Sequence, residues 1–92
     1  MKRIDLLPVM DREAVSLLLP ELRDTVHAGA RMAIHADKVD QIGQAGLQML
    51  LSIARSAAAA GVEIVIEAPS DALANASELA GLRSRLPFAA AR

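Results

Sequence analysis

The residues able to do chemistry are few, and most stand in one short stretch. His27 and His35 are the only imidazoles in 92 residues. His27 falls at the end of a helical run, where a cation meets the helix dipole favourably, and this structural role takes precedence over catalysis. His35 closes an apolar segment that reads as a central strand, the kind of strand end where α/β proteins place ligands. A strand-end hydrogen bond is the simpler role for it. Asp37 and Asp40 share a loop, but two carboxylates with no further acids beside them make a poor cation site. No serine is set near a histidine and an acid as a nucleophile would be. No glycine-rich loop fits a nucleotide fingerprint. Gly43-x-x-Gly46, at the start of a helix, either offers backbone N–H groups to an anion or lets the turn approach a sheet. From this inventory we expect no catalytic residue, no metal and no cofactor.

Composition narrows the partners further. There is no Trp or Tyr, and Phe88 is the only aromatic residue. A binder of single-stranded nucleic acid would stack bases on aromatics. Ten basic and eleven acidic residues give a net charge of −1, with no basic patch for a phosphate backbone. The absence of cysteine excludes disulfides and thiolate chemistry and is compatible with a reducing cytoplasm. No apolar run reaches the ~20 residues that span a bilayer, and Asp5 and Asp11 interrupt the start of the chain, which does not read as a signal peptide. A chain of this length is expected to be one domain over residues 1–92.

The elements that must position these residues alternate. RIDLLPVM at 3–10 suits an edge strand that Pro8 ends or holds at the margin. Asp11 is a candidate N-cap. Val15, Leu18, Leu19, Leu22 and Val26 then recur at helical spacing up to Gly29. Pro20 either kinks this helix or marks a late start, and one kinked helix is the better reading. Residues 31–36 form a central strand, and a second helix runs over about 44–60 with Gly61 as its C′ glycine. VEIVIEA at 62–68 is the clearest strand. Ser70 caps a third helix with Ala72, Leu73, Ala76, Leu79 and Ala80 inward, and Leu82, Leu86 and Phe88 dock the tail. Strand–helix alternation argues for an α/β fold: a single-layer mixed sheet of about four strands, the central ones parallel, with helices packed on it.

The second helix is the most informative. Leu47, Leu50, Leu51, Ala54 and Ala58 form one apolar face. At 100° per residue, Ala45, Met49, Ser52 and Ser56 point the other way, with Gln48 at the flank. A small, uncharged face bearing a flexible Met suits a protein partner.

VDQIGQAGLQMLL, the long helix after it, Gly61 and the β-branched strand beyond resemble a STAS domain, the fold of bacterial anti-anti-sigma factors. The resemblance covers nearly the whole chain. It is most specific from Arg31 to Pro69, continues through Ser70 to Phe88, and is poorest in length over residues 1–20. The family has Asp-Ser/Thr-Ser/Ala-Gly-Leu at this helix start, with the hydroxyl phosphorylated by a partner kinase that doubles as the anti-sigma factor. Aligned on Gly46-Leu47, Gly43 replaces the acid and Gln44 the phosphoacceptor, and His35 stands where the family often has an acid. A rival register on Asp40-Gln41-Ile42-Gly43 misplaces the apolar face and also lacks a hydroxyl. The resemblance implies a non-catalytic cytoplasmic interaction module in signalling, of the sigma-regulating or chemotaxis type. Its implied partner is an anti-sigma or histidine-kinase-like protein or a response regulator. The alternative is a small subunit docking on the ATPase of a lipid-transport ABC system. Together with the outer face of the second helix, the expected docking residues are Asp40, Gln41, Gly43, Gln44, Ala45, Gly46, Gln48, Met49 and Ser52, on a monomer or weak homodimer that binds no nucleic acid and does not insert directly into a membrane.

Overall fold

In the computed structural model, which describes residues 1–89, three parallel strands carry the centre of the fold. They are β1 (Lys2–Asp5), β3 (Met32–His35) and β5 (Ile64–Glu67), in the order β1-β3-β5. Ile4, Ile34 and Ile66 lie in register across them and all are buried. Side chains alternate across a strand, so this row faces the core, where it joins Leu22 of α1 (Arg12–His27) and Leu50 and Ile53 of α2 (Gln44–Ala60). The opposite face carries Arg3 and Asp5, which are exposed, and His35 and Glu67, which are half-buried.

The helix boundaries follow local chemistry. Asp11 caps α1, accepting the Ala14 N–H at 3.0 Å. Pro20 lies inside α1, which continues through it as one helix. Gly61 ends α2 at φ 69°, a left-handed conformation that favours glycine. Ser70 caps α3 (Asp71–Leu79), accepting the Leu73 N–H at 3.1 Å. The tail docks as expected. Leu82 and Leu86 are buried, and Phe88 bridges to Ile66 beside β5.

The architecture departs from the expected single mixed sheet in two ways. Every strand pairing among the described residues is parallel. The segment 3–10 also divides: after β1 the chain turns at Leu7-Pro8 into a separate strand β2 (Val9–Met10), which pairs with β4 (Gln41–Ile42) as a two-stranded ribbon. Pro8 has no N–H for a ladder, but its carbonyl accepts the N–H groups of Asp40 and Gln41 at 2.8 and 3.0 Å. α3 also turns differently from the expected face. It buries Leu73 and Ser77, and Leu79 is 90% exposed. Leu79 is six residues beyond Leu73, about 240° round the helix, so it cannot share the inward stripe.

Candidate functional site at the entrance to the second helix

The ribbon sets two helix entrances side by side. Met10 pairs with Ile42 across it. The next residue in each strand is the N-cap of a helix, Asp11 for α1 and Gly43 for α2. The Gly43 N–H donates to the Met10 carbonyl at 3.3 Å, which ties the entrance of α2 to β2. A Cβ at Gly46 would lie 2.8 Å from Ile42 Cγ1 and 3.0 Å from the Met10 carbonyl oxygen. Only glycine lets the first turn of α2 approach the ribbon this closely. Of the two roles open for Gly43-x-x-Gly46, close approach is therefore the one Gly46 fills.

The entrance of α2 has no side-chain cap and no acidic residue in its first turn. The Leu47 N–H reaches the Gly43 carbonyl at 3.2 Å. The N–H groups before it belong to the set a helix cannot satisfy internally. A groove runs between the two entrances, lined by Asp11, Arg12, Gly43, Gln44, Ala45 and Gln48.

Asp40, Gln41, Gly43, Gln44, Gln48 and Ser52 are exposed and Ala45 is half-buried. Gln44 is the first residue of α2, and Gln48 and Ser52 continue its outer face. Two residues expected on this surface are not on it. Gly46 is buried against the ribbon, and Met49 is only 4% exposed and belongs to the core. The cause is the facing of the helix. Gly46, Leu50, Ile53 and Ala57 form its central buried stripe, with Leu47 and Leu51 on one flank and Met49 on the other. Ala58, expected in the core, is exposed. The outer stripe is Gln44, Gln48, Ser52, Arg55 and Ala59, so the surface is polar with one cation rather than neutral with a methionine.

The sequence reading missed four contributors to this surface, Arg55 among them. Asp11 and Arg12 line the groove because the ribbon brings them there, and exposed Val9 pairs with Gln41 beside it. Two-residue strands leave no periodic signal to find them by. Arg55 was legible, since it lies eleven residues beyond Gln44 on the same stripe.

The other candidates lie apart from this entrance. His27 ends α1 and is exposed. His35 stands in register between Asp5 and Glu67. The Arg3 guanidinium donates to Asp5 Oδ1 at 3.0 and 3.2 Å, and this hydrogen bond holds the Asp5 carboxyl below its ordinary range. Among the described residues, no cluster of three acids or histidines is placed to hold a metal ion, the Asp37–Asp40 loop included. No helix among them is long and apolar enough to cross a membrane.

No curated protein sequence matches the chain. Its fold is similar to a crystal structure from Thermotoga maritima described as a candidate anti-sigma factor antagonist. The TM-score is 0.74 at 14% identity, over 98% of this chain and 74% of that one. In sequence, the family described as "Mlab, STAS domain" matches residues 2–87. The chain therefore belongs to the STAS domain family, and with that membership comes a general role in regulatory protein interaction.

Proposed function

We propose that residues 1–92 act as one non-catalytic docking unit in the cytoplasm. It binds a regulatory protein through the groove at the entrance of α2 and the outer stripe Gln44, Gln48 and Ser52, with Asp40, Gln41, Gly43 and Ala45 at its rim. The observation that carries this reading is Gln44, which is exposed as the first residue of an uncapped helix where the family bears its phosphorylated hydroxyl. A phosphate there adds about −1.5 to −2 charges and resets docking. Gln44 accepts no phosphate and carries no charge, so docking is constitutive at this position. Exposed Ser52 and Ser56 lie two and three turns further along, too far to replace it at the helix start.

The partner class that follows is an anti-sigma or histidine-kinase-like regulator or a response regulator, in sigma control or chemotaxis. A second reading, docking on the ATPase of a lipid-transport ABC system, is favoured by the matched family's description, which is the Mlab STAS domain. Capture of native partners on the immobilised protein, read by mass spectrometry, separates the two. A kinase or response regulator supports the first, and an ATPase with its permease supports the second. Either capture must be lost with Gln48→Arg. A cognate kinase that phosphorylates the wild-type protein near Gln44 would refute the constitutive reading, whereas labelling that appears only in Gln44→Ser supports it.

A further inference from the structure

β1 is an edge of the main sheet, and among the described residues no strand pairs with its outer side. The Lys2 and Leu6 N–H groups donate to the Arg31 and His35 carbonyls at 2.8 and 2.9 Å. In a parallel ladder alternate residues turn their backbone groups to the same neighbour, so Lys2, Ile4 and Leu6 address β3. The backbone groups of Arg3 and Asp5 point away, into the open. Such an edge is a template for another strand. We propose that its occupant is β1 of a second copy of this chain, added antiparallel about a twofold axis at Ile4, to make one continuous sheet across the dimer.

The pattern of charges selects this occupant and this register. With Ile4 opposite Ile4 of the second copy, Arg3 of each chain stands opposite Asp5 of the other. Both are then hydrogen-bonded pairs of an antiparallel ladder, because these residues carry the outward N–H and C=O groups. Two opposite-charge cross-strand pairs form, a favourable arrangement. Shifting the axis to Arg3 sets arginine against arginine, and shifting it to Asp5 sets aspartate against aspartate. Each is repelled, so the sequence specifies one register and disfavours its neighbours. Arg3 and Asp5 are already aligned with each other on the open face at 3.0 Å, and their side chains stay 61% and 49% exposed. Beside the same edge, α1 presents a shallow groove lined by Lys2, Leu17, Pro20 and Glu21. Leu17 is 68% exposed there, which gives a second copy apolar surface to cover. The outer stripe of α2 takes no part, so the dimer does not depend on the docking proposed above.

The test is sedimentation equilibrium of the full chain from micromolar to millimolar concentration. The wild-type protein is expected to dimerise, more weakly as salt screens the pairs. Arg3→Glu and Asp5→Lys each create two like-charge pairs and are expected to weaken self-association at least about tenfold. An equimolar mixture of the two variants restores opposite charges in both pairs and is expected to form a heterodimer. A purely intrachain Arg3–Asp5 role could not produce that rescue. Amide exchange of the wild-type protein supplies a reading that needs no variant: Arg3 and Asp5 N–H exchange should slow with rising concentration, while Gln44 does not respond. A wild-type protein that stays monomeric throughout overturns the proposal. So do single variants that dimerise as well as the wild type, a mixture that does not associate, or concentration-dependent protection elsewhere than β1.

Discussion

α1 and α2 leave the same ribbon as neighbours and begin in opposite ways. Their last strand residues, Met10 and Ile42, are paired, and the next residue of each chain segment is the cap. In α1 that residue is Asp11, whose carboxylate takes up a first-turn N–H. In α2 it is Gly43, which offers no side chain. A glycine cap forfeits only a few tenths of a kcal/mol against a cap of the Asp11 kind, so α2 begins slightly less stabilised than its neighbour and with no side chain over its first N–H groups. What α2 has instead is closeness. Gly46 lets its first turn lie against the Met10 carbonyl, and its leading N–H groups remain for whatever occupies the groove. One entrance is completed within the chain. The other is held in place by close packing but has no side-chain cap, which is why we propose it as the docking site.

The largest effect should come from disturbing the packing that holds α2 in place. Met49→Arg forces a charge into a site that is 4% exposed and should cost on the order of 4 kcal/mol or leave the chain unfolded. Leu50→Ala, at 1% exposure, should cost about 2–5 kcal/mol. Urea unfolding at unchanged m-value measures both. An arginine tolerated at position 49 would mean that the helix faces the other way.

Gly46→Ala comes next. Alanine favours a helix by about 1 kcal/mol over glycine, but its Cβ meets a backbone oxygen that cannot yield. The net effect should be a loss of about 1–2 kcal/mol, seen as a lower Tm.

The caps themselves sharpen the contrast at smaller scale. Asp11→Ala should cost about 0.5–2 kcal/mol. Gly43→Asp should gain a few tenths of a kcal/mol by supplying the missing cap, and should weaken partner binding by occupying the open N–H groups. A Gly43→Asp variant that binds as well as the wild type would show that those groups are not part of the docking surface.

The smallest effect lies at β1. Asp5 has a pKa depressed by the Arg3 hydrogen bond, so its contribution to stability is present above the ordinary aspartate value of ~3.9 and is lost as pH falls through the lowered value. Replacing Asp5 by Asn should flatten the acid limb of the stability profile slightly, as an exposed pair does.

Much of the fold was legible because its signals are local. Asp11 and Ser70 announce their helices by chemistry that acts within three residues, and Gly61 closes α2 by its left-handed φ. The ribbon was not legible. Val9–Met10 and Gln41–Ile42 are too short to alternate, and they matter through pairing across about thirty residues of sequence. The facing of α2 failed for a different reason. Its leucines are conspicuous, but the stripe nearest the core is Gly46, Leu50, Ile53 and Ala57, where small residues set the approach distance. α2 also packs against α1, which widens the buried arc until it takes in Met49. The Gly43–Gly46 entrance of α2, where we propose docking, could be placed from the sequence. Its composition could not, since Asp11 and Arg12 reach the groove only through the ribbon.

The open entrance and the outer stripe of α2 are where we propose that a partner binds. Gln48 lies in both, lining the groove and sitting exposed on the helix. The direct measurement is partner affinity for Gln48→Arg set beside its urea stability. Binding should weaken at least about tenfold, with stability within about 0.5 kcal/mol of the wild type. Binding that survives the substitution, on a protein equally stable, would contradict the proposal.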